Sequence, residues 1–338
     1  MSEYDDLLKS IASIITDYRD GEIPKPTPDH VDHWIKQFDK AIRVPLLREI
    51  NYVLKRTYFS KAEVSKFLKH LIKEKKLAGE KPCDFWRSAH LLDIQEQGHS
   101  QAEISDLFNK GLQKECGLSL EECGSAGGAF IYLDDVLFTG GRIGADLEAW
   151  ITNKAPPKFT LNILVIATHV LGEWQCTERL KKAAAAARKE LDLHCWAAVR
   201  FENRKTYRNT SEVLWPTEIP KDSALQAYIA KEKKFPFEPR QPEGKLEHPI
   251  FSSEKGRQLL ERELLLAGIR IRSFSQNPSA ALRPLGFSPF GLGFGSMIVT
   301  FRNCPNNCPL AFWWGDPKAA PDHPFAKWYP LFPRKTYE

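Results

Sequence analysis

Apolar positions over residues 3–76 recur every three to four residues, the spacing of helices buried along one face. Leu7, Leu8, Ile11, Ile14, Ile15 and Tyr18 mark a first helix over 3–19, closed by a turn with Gly21, Pro24, Pro26 and Pro28. Val31, Trp34, Ile35, Phe38 and Ile42 share one face of a second, and a third over 45–56 carries Leu46, Leu47, Ile50, Val53 and Leu54. Ser60 and Glu63 have capping-box spacing and open a helix over 61–76 with Val64, Phe67, Leu68, Leu71 and Ile72. Another helix, introduced by Ser100 within 98–120, carries Ile104, Leu107, Phe108 and Leu112. From residue 129 the pattern changes. Mainly apolar runs at Phe130–Leu133, Leu161–His169 and Cys195–Phe201 alternate with helical stretches at 144–151 and 176–191. Runs of that kind are strands covered on both faces, so 129–201 predicts βαβ units in a parallel sheet. Prolines punctuate 216–250, which is expected to be a lid or linker. A helix over 254–267, a strand at Met297–Phe301 and a tail rich in aromatics follow. Three regions are expected: a helical 1–90, a sheet core 91–215, and 216–338, whose strand and tail complete the core.

The chemistry concentrates in FIYLDDVLFTGGR, Phe130–Arg142. Four apolar residues lead to Asp134 and Asp135, expected at the C-terminal end of the strand. Val136, Leu137 and Phe138 follow, then Thr139-Gly140-Gly141 and a helix opening near Arg142. Such a glycine turn lets backbone N–H groups converge on a phosphate, and a helix N-terminus adds a favourable dipole. Paired carboxylates accept hydrogen bonds from the 2- and 3-hydroxyls of a ribose and help retain Mg2+ on the same ligand. Right-handed crossovers put this loop at the C-terminal edge of the sheet, where ligands of open parallel sheets bind.

At these residues the chain resembles the phosphoribosyltransferase family, whose signature is a hydrophobic strand, two acids, three variable residues and Thr-Gly-Gly-Thr. The resemblance implies an α/β fold with a parallel sheet flanked by helices, and a binding loop for 5-phosphoribosyl 1-pyrophosphate (PRPP) carrying Mg2+. It implies that Asp134 and Asp135 face the ribose, while Phe138, Thr139, Gly140, Gly141 and Arg142 wrap the 5-phosphate. Arg142 stands in place of the usual final Thr and brings a guanidinium that can pair with phosphate. Phe138 stands where a small residue is usual. The family also places a pyrophosphate loop after an earlier core strand. The candidates for it here, 91–95 and 121–128, have no basic or glycine pattern of that kind.

Composition narrows the class. No apolar run approaches the roughly 20 residues that span a bilayer, and the acidic start MSEYDDLLKS reads as a first helix, so a cytoplasmic protein is expected. The seven cysteines are scattered and are expected to be free thiols. The net charge of +5 does not by itself imply nucleic acid. Two clusters are more basic: Lys66, Lys69, Lys73, Lys75 and Lys76, and Lys181, Lys182, Arg188 and Lys189. Residues 48–79 resemble a winged-helix or helix-turn-helix unit in which Lys66, Lys69 and Lys73 would face nucleic acid. The other reading of both clusters is a solvated helix face.

Weaker features have two readings each. Cys304 and Cys308 are spaced for one half of a zinc site, but no second pair sits at suitable spacing. Gly291, Gly293 and Gly295 suit a nucleotide or a close-packed turn. Asn303, Asn306 and Asn307 suit a base or ordinary turn chemistry. His169 and His194 are the general-base candidates, against a role as hydrogen-bonded structural histidines. There is no G-x-S-x-G and no P-loop.

GHSQAEISDLF, IYLDDVLFTGGRI, GLGFGSMIVTFRNCPNNCPLAFWW and WYPLFPR together resemble a closer group, PRTase-CE, associated with bacterial conflict and antiphage systems, including retrons. That resemblance implies an effector binding Mg-PRPP or a related ribosyl phosphate or nucleotide, acting by ribosyl transfer or N-glycosidic chemistry. A reverse transcriptase and its RNA or DNA are the implied partners. The alternatives are a non-catalytic nucleotide-sensing regulator that binds nucleic acid, and a retron complex subunit with an exposed tail, Trp313 to Tyr329, as interface.

Overall fold

The computed structural model describes residues 2–95, 100–125, 127–231, 236–242, 250–289 and 291–334. Met1–Lys61 and Lys205–Glu338 form one compact unit, and Ala62–Arg204 forms the other. The divisions fall at 61/62 and 204/205, where the pattern had suggested 90/91 and 215/216.

The chain begins with α1 (Glu3–Ile14), α2 (Pro28–Ile35), α3 (Arg43–Thr57) and the short β1 (Tyr58–Phe59). Ser2 and Asp5 form a capping box on α1, and Thr27 caps α2 with Pro28 in its first turn. Next come α4 (Lys61–Lys73), α5 (Lys75–Ala78), α6 (Pro82–Ser88), β2 (His90–Leu91), α7 (Ser100–Cys116), β3 (Phe130–Leu137), α8 (Gly141–Asn153), β4 (Lys158–His169), α9 (Val170–Ala186) and β5 (Glu190–Phe201). The chain closes with α10 (Ser223–Lys231), α11 (Glu254–Arg272), β6 (Val299–Thr300) and α12 (Leu310–Trp313). No helix among the described residues is long and apolar enough to cross a membrane.

The unit Ala62–Arg204 is an α/β layer structure. Its four strands lie in the order β2-β3-β4-β5, all parallel. Sequential order with parallel pairing requires a crossover between each pair of strands, and α7, α8 and α9 supply them. The core is built from Tyr132, Leu161, Ile163 and Val165 of the sheet against Ile143, Leu147 and Trp150 of α8 and Cys176 and Leu180 of α9. Among the described residues, β5 has a strand neighbour on one side only. On it, Arg200 pairs with Glu173 of α9 at 3.0 Å and donates 2.8 Å to the Cys195 carbonyl of its own strand.

In the other unit, α1, α2, α3, α11 and the C-terminal tail pack together. The tryptophans of the tail are interior, Trp313, Trp314 and Trp328 all being buried, while the stretch 316–327 between them is exposed or half-buried. Trp34 and Trp328 both donate to the Ala311 carbonyl, at 2.8 and 3.0 Å, and His33 stacks on Tyr329. The expectation of an exposed aromatic interface is therefore corrected. Trp34, Trp313 and Trp328 are large apolar surfaces whose N–H groups find backbone partners inside. The described part of 216–250 is also anchored. Arg240 is buried between Glu254 and Glu261, and Glu261 also holds Arg257.

Two further expectations change. The strand expected at Met297–Phe301 shortens to β6, which pairs in parallel with β1, apart from the main sheet. The helix pair read as a helix-turn-helix divides: α3 belongs to one unit and, after its first residue, α4 to the other. No wing hairpin follows α4 among the described residues.

The cysteines divide as well. Cys123, Cys176, Cys195, Cys304 and Cys308 are free thiols, as expected. Cys83 of α6 and Cys116 at the end of α7 instead form a disulfide, 33 residues apart. Their separation gave no local pattern to read. A crosslink restricts the unfolded chain, so reduction, or Cys83→Ser with Cys116→Ser, should lower stability by about 2–4 kcal/mol. Urea titration with and without reductant checks this.

Candidate functional site

The loop after β3 is shaped by two glycines whose backbones approach other backbone closely, Gly140 within it and Gly172 opposite it. Gly140 caps α8 in the left-handed conformation at φ 71°. A Cβ there would lie 2.6 Å from the Gly172 carbonyl oxygen, and a Cβ on Gly172 would lie 1.8 Å from that of Phe138. The loop is thus pressed backbone to backbone against the first turn of α9. The Gly141 N–H donates to Thr139 Oγ1 at 3.3 Å and the Gly144 N–H to the Gly140 carbonyl at 2.9 Å, closing the first turn of α8. Arg179 of α9 pairs with Glu148 at 2.6 Å and donates to the Gly141 carbonyl at 3.2 Å, which fixes α8 from the other side. Thr139, Gly141 and Arg142 are exposed, so the positive end of α8 opens to solvent.

Asp134 and Asp135 lie inside β3 rather than at its end. The strand continues through Leu137, which pairs with Thr168, because β4 and β5 run on to His169 and Phe201 and give it a partner. Both acids are consequently buried, at 1% and 7% exposure. Neighbouring strand residues leave opposite faces of a sheet, so the two carboxylates must meet around the strand. They do so at Arg142, whose Nη2 lies 2.9 Å from Asp134 Oδ2 and 4.0 Å from Asp135 Oδ1. Main-chain N–H groups fix the acids: Asp135 N–H donates to Asp134 Oδ1 at 2.8 Å, and Val136 N–H to Asp135 Oδ1 at 2.7 Å. Burial works against the charge of Arg142. The attraction of Asp134 and then Asp135 outweighs it and raises the guanidinium pKa above its ordinary value.

The site therefore gathers Asp134, Asp135, Phe138, Thr139, Gly140, Gly141 and Arg142 on one edge. Of the two histidines, only His169 joins them. It ends β4, with its ring 5.2 Å from Phe138 and 5.9 Å from Phe201. Burial drives its pKa down to about 3, against the Leu137 carbonyl, which raises it. A proton acceptor so weak is a neutral packing group, not a general base near neutral pH. His194 lies opposite Asn162 in the register, seven residues or about 23 Å of strand before His169. It is exposed beside Asp192 at 3.1 Å, so it is corrected as a base for this site.

The segment after β2, one of the two in which a pyrophosphate loop is expected, lies at the same edge as the loop after β3, because β2 runs parallel to β3. Sequence reading passed over the residue that shapes it. Gln101 is buried in the first turn of α7. Its Nε2 donates to the carbonyls of Leu92 at 2.7 Å and Leu133 at 3.3 Å, and its Oε1 accepts from the N–H groups of Ile94 and Gln95. It ties this segment to the residue before Asp134. An inward-facing glutamine has no spacing signature, and a polar residue in a first helical turn reads as a solvated one. Gly98 and His99, which open the GHSQAEISDLF segment, lie outside the described residues. The other candidate, 121–128, precedes β3, so its described residues lie at the opposite edge.

The remaining candidates sit apart from this edge. Lys66 and Lys73 are exposed on α4 and Lys69 is half-buried, and Lys73 is ion-paired with Glu115. Cys304 and Cys308 are buried, and no group of three or more potential metal ligands gathers among the described residues. Gly293 and Gly295 pack against the backbone of Leu285 and Leu214 at distances no Cβ allows, which makes theirs a close-packed turn. Asn307 donates to the Phe287 carbonyl at 3.0 Å, and Asn303 N–H to the Thr300 carbonyl at 3.1 Å, as turn residues do.

The model of the PRTase-CE family matches residues 31–334, and the chain belongs to that family. No curated protein and no solved structure gives a significant match. Two predictions follow from the geometry. Gly172→Ala should destabilise the protein by about 1–3 kcal/mol, because two backbones must separate to admit the methyl group; thermal melting measures it. His169 takes up its proton more readily unfolded than folded. Its contribution is therefore full above about pH 6.5 and is lost as pH falls towards 3, by about 1.4 kcal/mol per unit. His169→Gln should flatten that part of the stability–pH curve.

Proposed function

From its place in the PRTase-CE family, we propose that this chain binds a ribosyl phosphate, PRPP or a related nucleotide, at residues 134–142, and acts as an effector in antiphage defence. The observation that carries the reading is the meeting of two buried carboxylates and one guanidinium beside a glycine loop that opens a helix. The loop and the first turn of α8 take the 5-phosphate, with Thr139 and Arg142 beside it. Asp134 and Asp135 accept from the 2- and 3-hydroxyls. Those contacts place the anomeric carbon against the acid pair. When the leaving group departs, positive charge develops on the ribose ring, and the carboxylates, already fixed by main-chain N–H groups, stabilise it without reorganising. The phosphate contacts supply binding energy remote from the breaking bond. The two carboxylates suit a Mg2+ carried mainly by the ligand's own oxygens, where it would neutralise a pyrophosphate.

Isothermal titration with Mg2+ and PRPP tests this directly. The wild type should bind saturably. Asp135→Ala and the double variant Asp134→Asn/Asp135→Asn should bind about 100-fold more weakly or worse, since hydrogen bonds to charged groups are lost, while circular dichroism shows the fold retained. Unchanged affinity in Asp135→Ala would refute the assignment. Product analysis of the same mixture separates turnover from sensing.

A further inference from the structure

Arg142 is in the wrong place for a residue whose only task is to hold phosphate. It stands on the first turn of α8, where the N–H groups and the helix dipole already favour an anion. Yet its guanidinium turns back across the loop to Asp134, at 2.9 Å, and comes within 4.0 Å of Asp135. The Asp134 side chain is fully buried and that of Arg142 is 46% exposed. The exposed partner is the one that can swing, while the acid is fixed by its contact with the Asp135 N–H. Asp134 Oδ2, which the proposed function assigns to a ribose hydroxyl, is thus engaged by a cation from this same chain.

We infer that Arg142 is a selectivity element that exchanges partners: it occupies Asp134 in the absence of ligand and leaves it for the incoming phosphate, which frees the carboxylate for the ribose. The inference rests on the ribosyl-phosphate reading and adds a condition to it. A ribose without a phosphate meets an acid already paired, and has nothing to draw the arginine away. A phosphate offers the guanidinium a doubly charged, fork-matching partner in place of a single carboxylate oxygen. The two halves of the ligand are then coupled through one side chain, and the site answers to phosphorylated sugars over free ones. A threonine at this position, as in the common form of the motif, could bind phosphate but could not cover the acid.

The coupling makes a distinctive prediction for inorganic phosphate alone. Removing the competing acid should improve phosphate binding, and only if Arg142 is present to be released. Calorimetric titration of phosphate into the wild type, Asp134→Asn, Arg142→Thr and the double variant forms a complete cycle. Asp134→Asn should bind phosphate about threefold tighter than the wild type, and Arg142→Thr about tenfold weaker. The double variant should match Arg142→Thr. It carries neither charge, so it remains informative if Arg142→Thr alone, with an unpaired buried acid, fails to fold. No gain in Asp134→Asn overturns the exchange. So does a gain of the same size in the Arg142→Thr background, which would be mere relief of repulsion. A parallel titration with ribose 5-phosphate separates the two claims. If the wild type binds it no tighter than phosphate, the ribosyl reading fails, and the selectivity role fails with it. If it binds tighter while the cycle shows no coupling, only the exchange fails.

Discussion

The site depends on a contact between two stretches of backbone. Gly172, in the first turn of α9, lies so close to the Phe138 carbonyl that a single methyl group would overlap it, and Gly140 lies almost as close to the Gly172 carbonyl. Everything that gives the loop its chemistry follows. The left-handed turn at Gly140 starts α8 at once, and the start of α8 fixes where its N–H groups and Arg142 emerge. The packing of α9 behind the loop, through Cys176 and Arg179, converts a flexible glycine pair into a fixed surface. Burial against that packing also pushes the Cys176 thiol up to about 12, so it serves here as a small apolar filler.

How much of this was legible differs from residue to residue. Phe130–Arg142 announced its strand, turn and helix because each uses a local rule: an uninterrupted apolar run, a glycine pair, a helix start. The depth of Asp134 and Asp135 did not follow from local rules. It is set by how far β4 and β5 extend beside β3, and strand ends are fixed by partners distant in sequence. Gly172 carries the most information about the loop, yet nothing in its own neighbourhood marks it. Its requirement for glycine comes from another segment's carbonyl. His169 was placed correctly at the shared edge, but its surroundings, two aromatic rings and no solvent, decide that it stays neutral.

The larger organisation was harder to read. Helical periodicity found α1, α3, α4 and α11 to within a few residues. It could not show that the first three helices fold with the last part of the chain, since contacts between residues near 30 and residues near 330 leave no trace in spacing. The aromatic tail illustrates the same limit. Rich in tryptophan and proline, it had the composition of an interface. Trp34 and Trp328 instead share one carbonyl deep in the unit that α1–α3 build.

One detail of the sheet bears on how this protein behaves at high concentration. Among the described residues β5 is a long strand with a strand neighbour on one side only, and such a margin can pair with strands from other molecules by main-chain hydrogen bonding. Arg200 lies folded along it, engaged with the Cys195 carbonyl and anchored to Glu173. A side chain used this way acts as a stopper on sheet growth. The ion pair with α9, unremarkable as a contribution to stability, then keeps a charged side chain laid against the backbone of this twelve-residue strand.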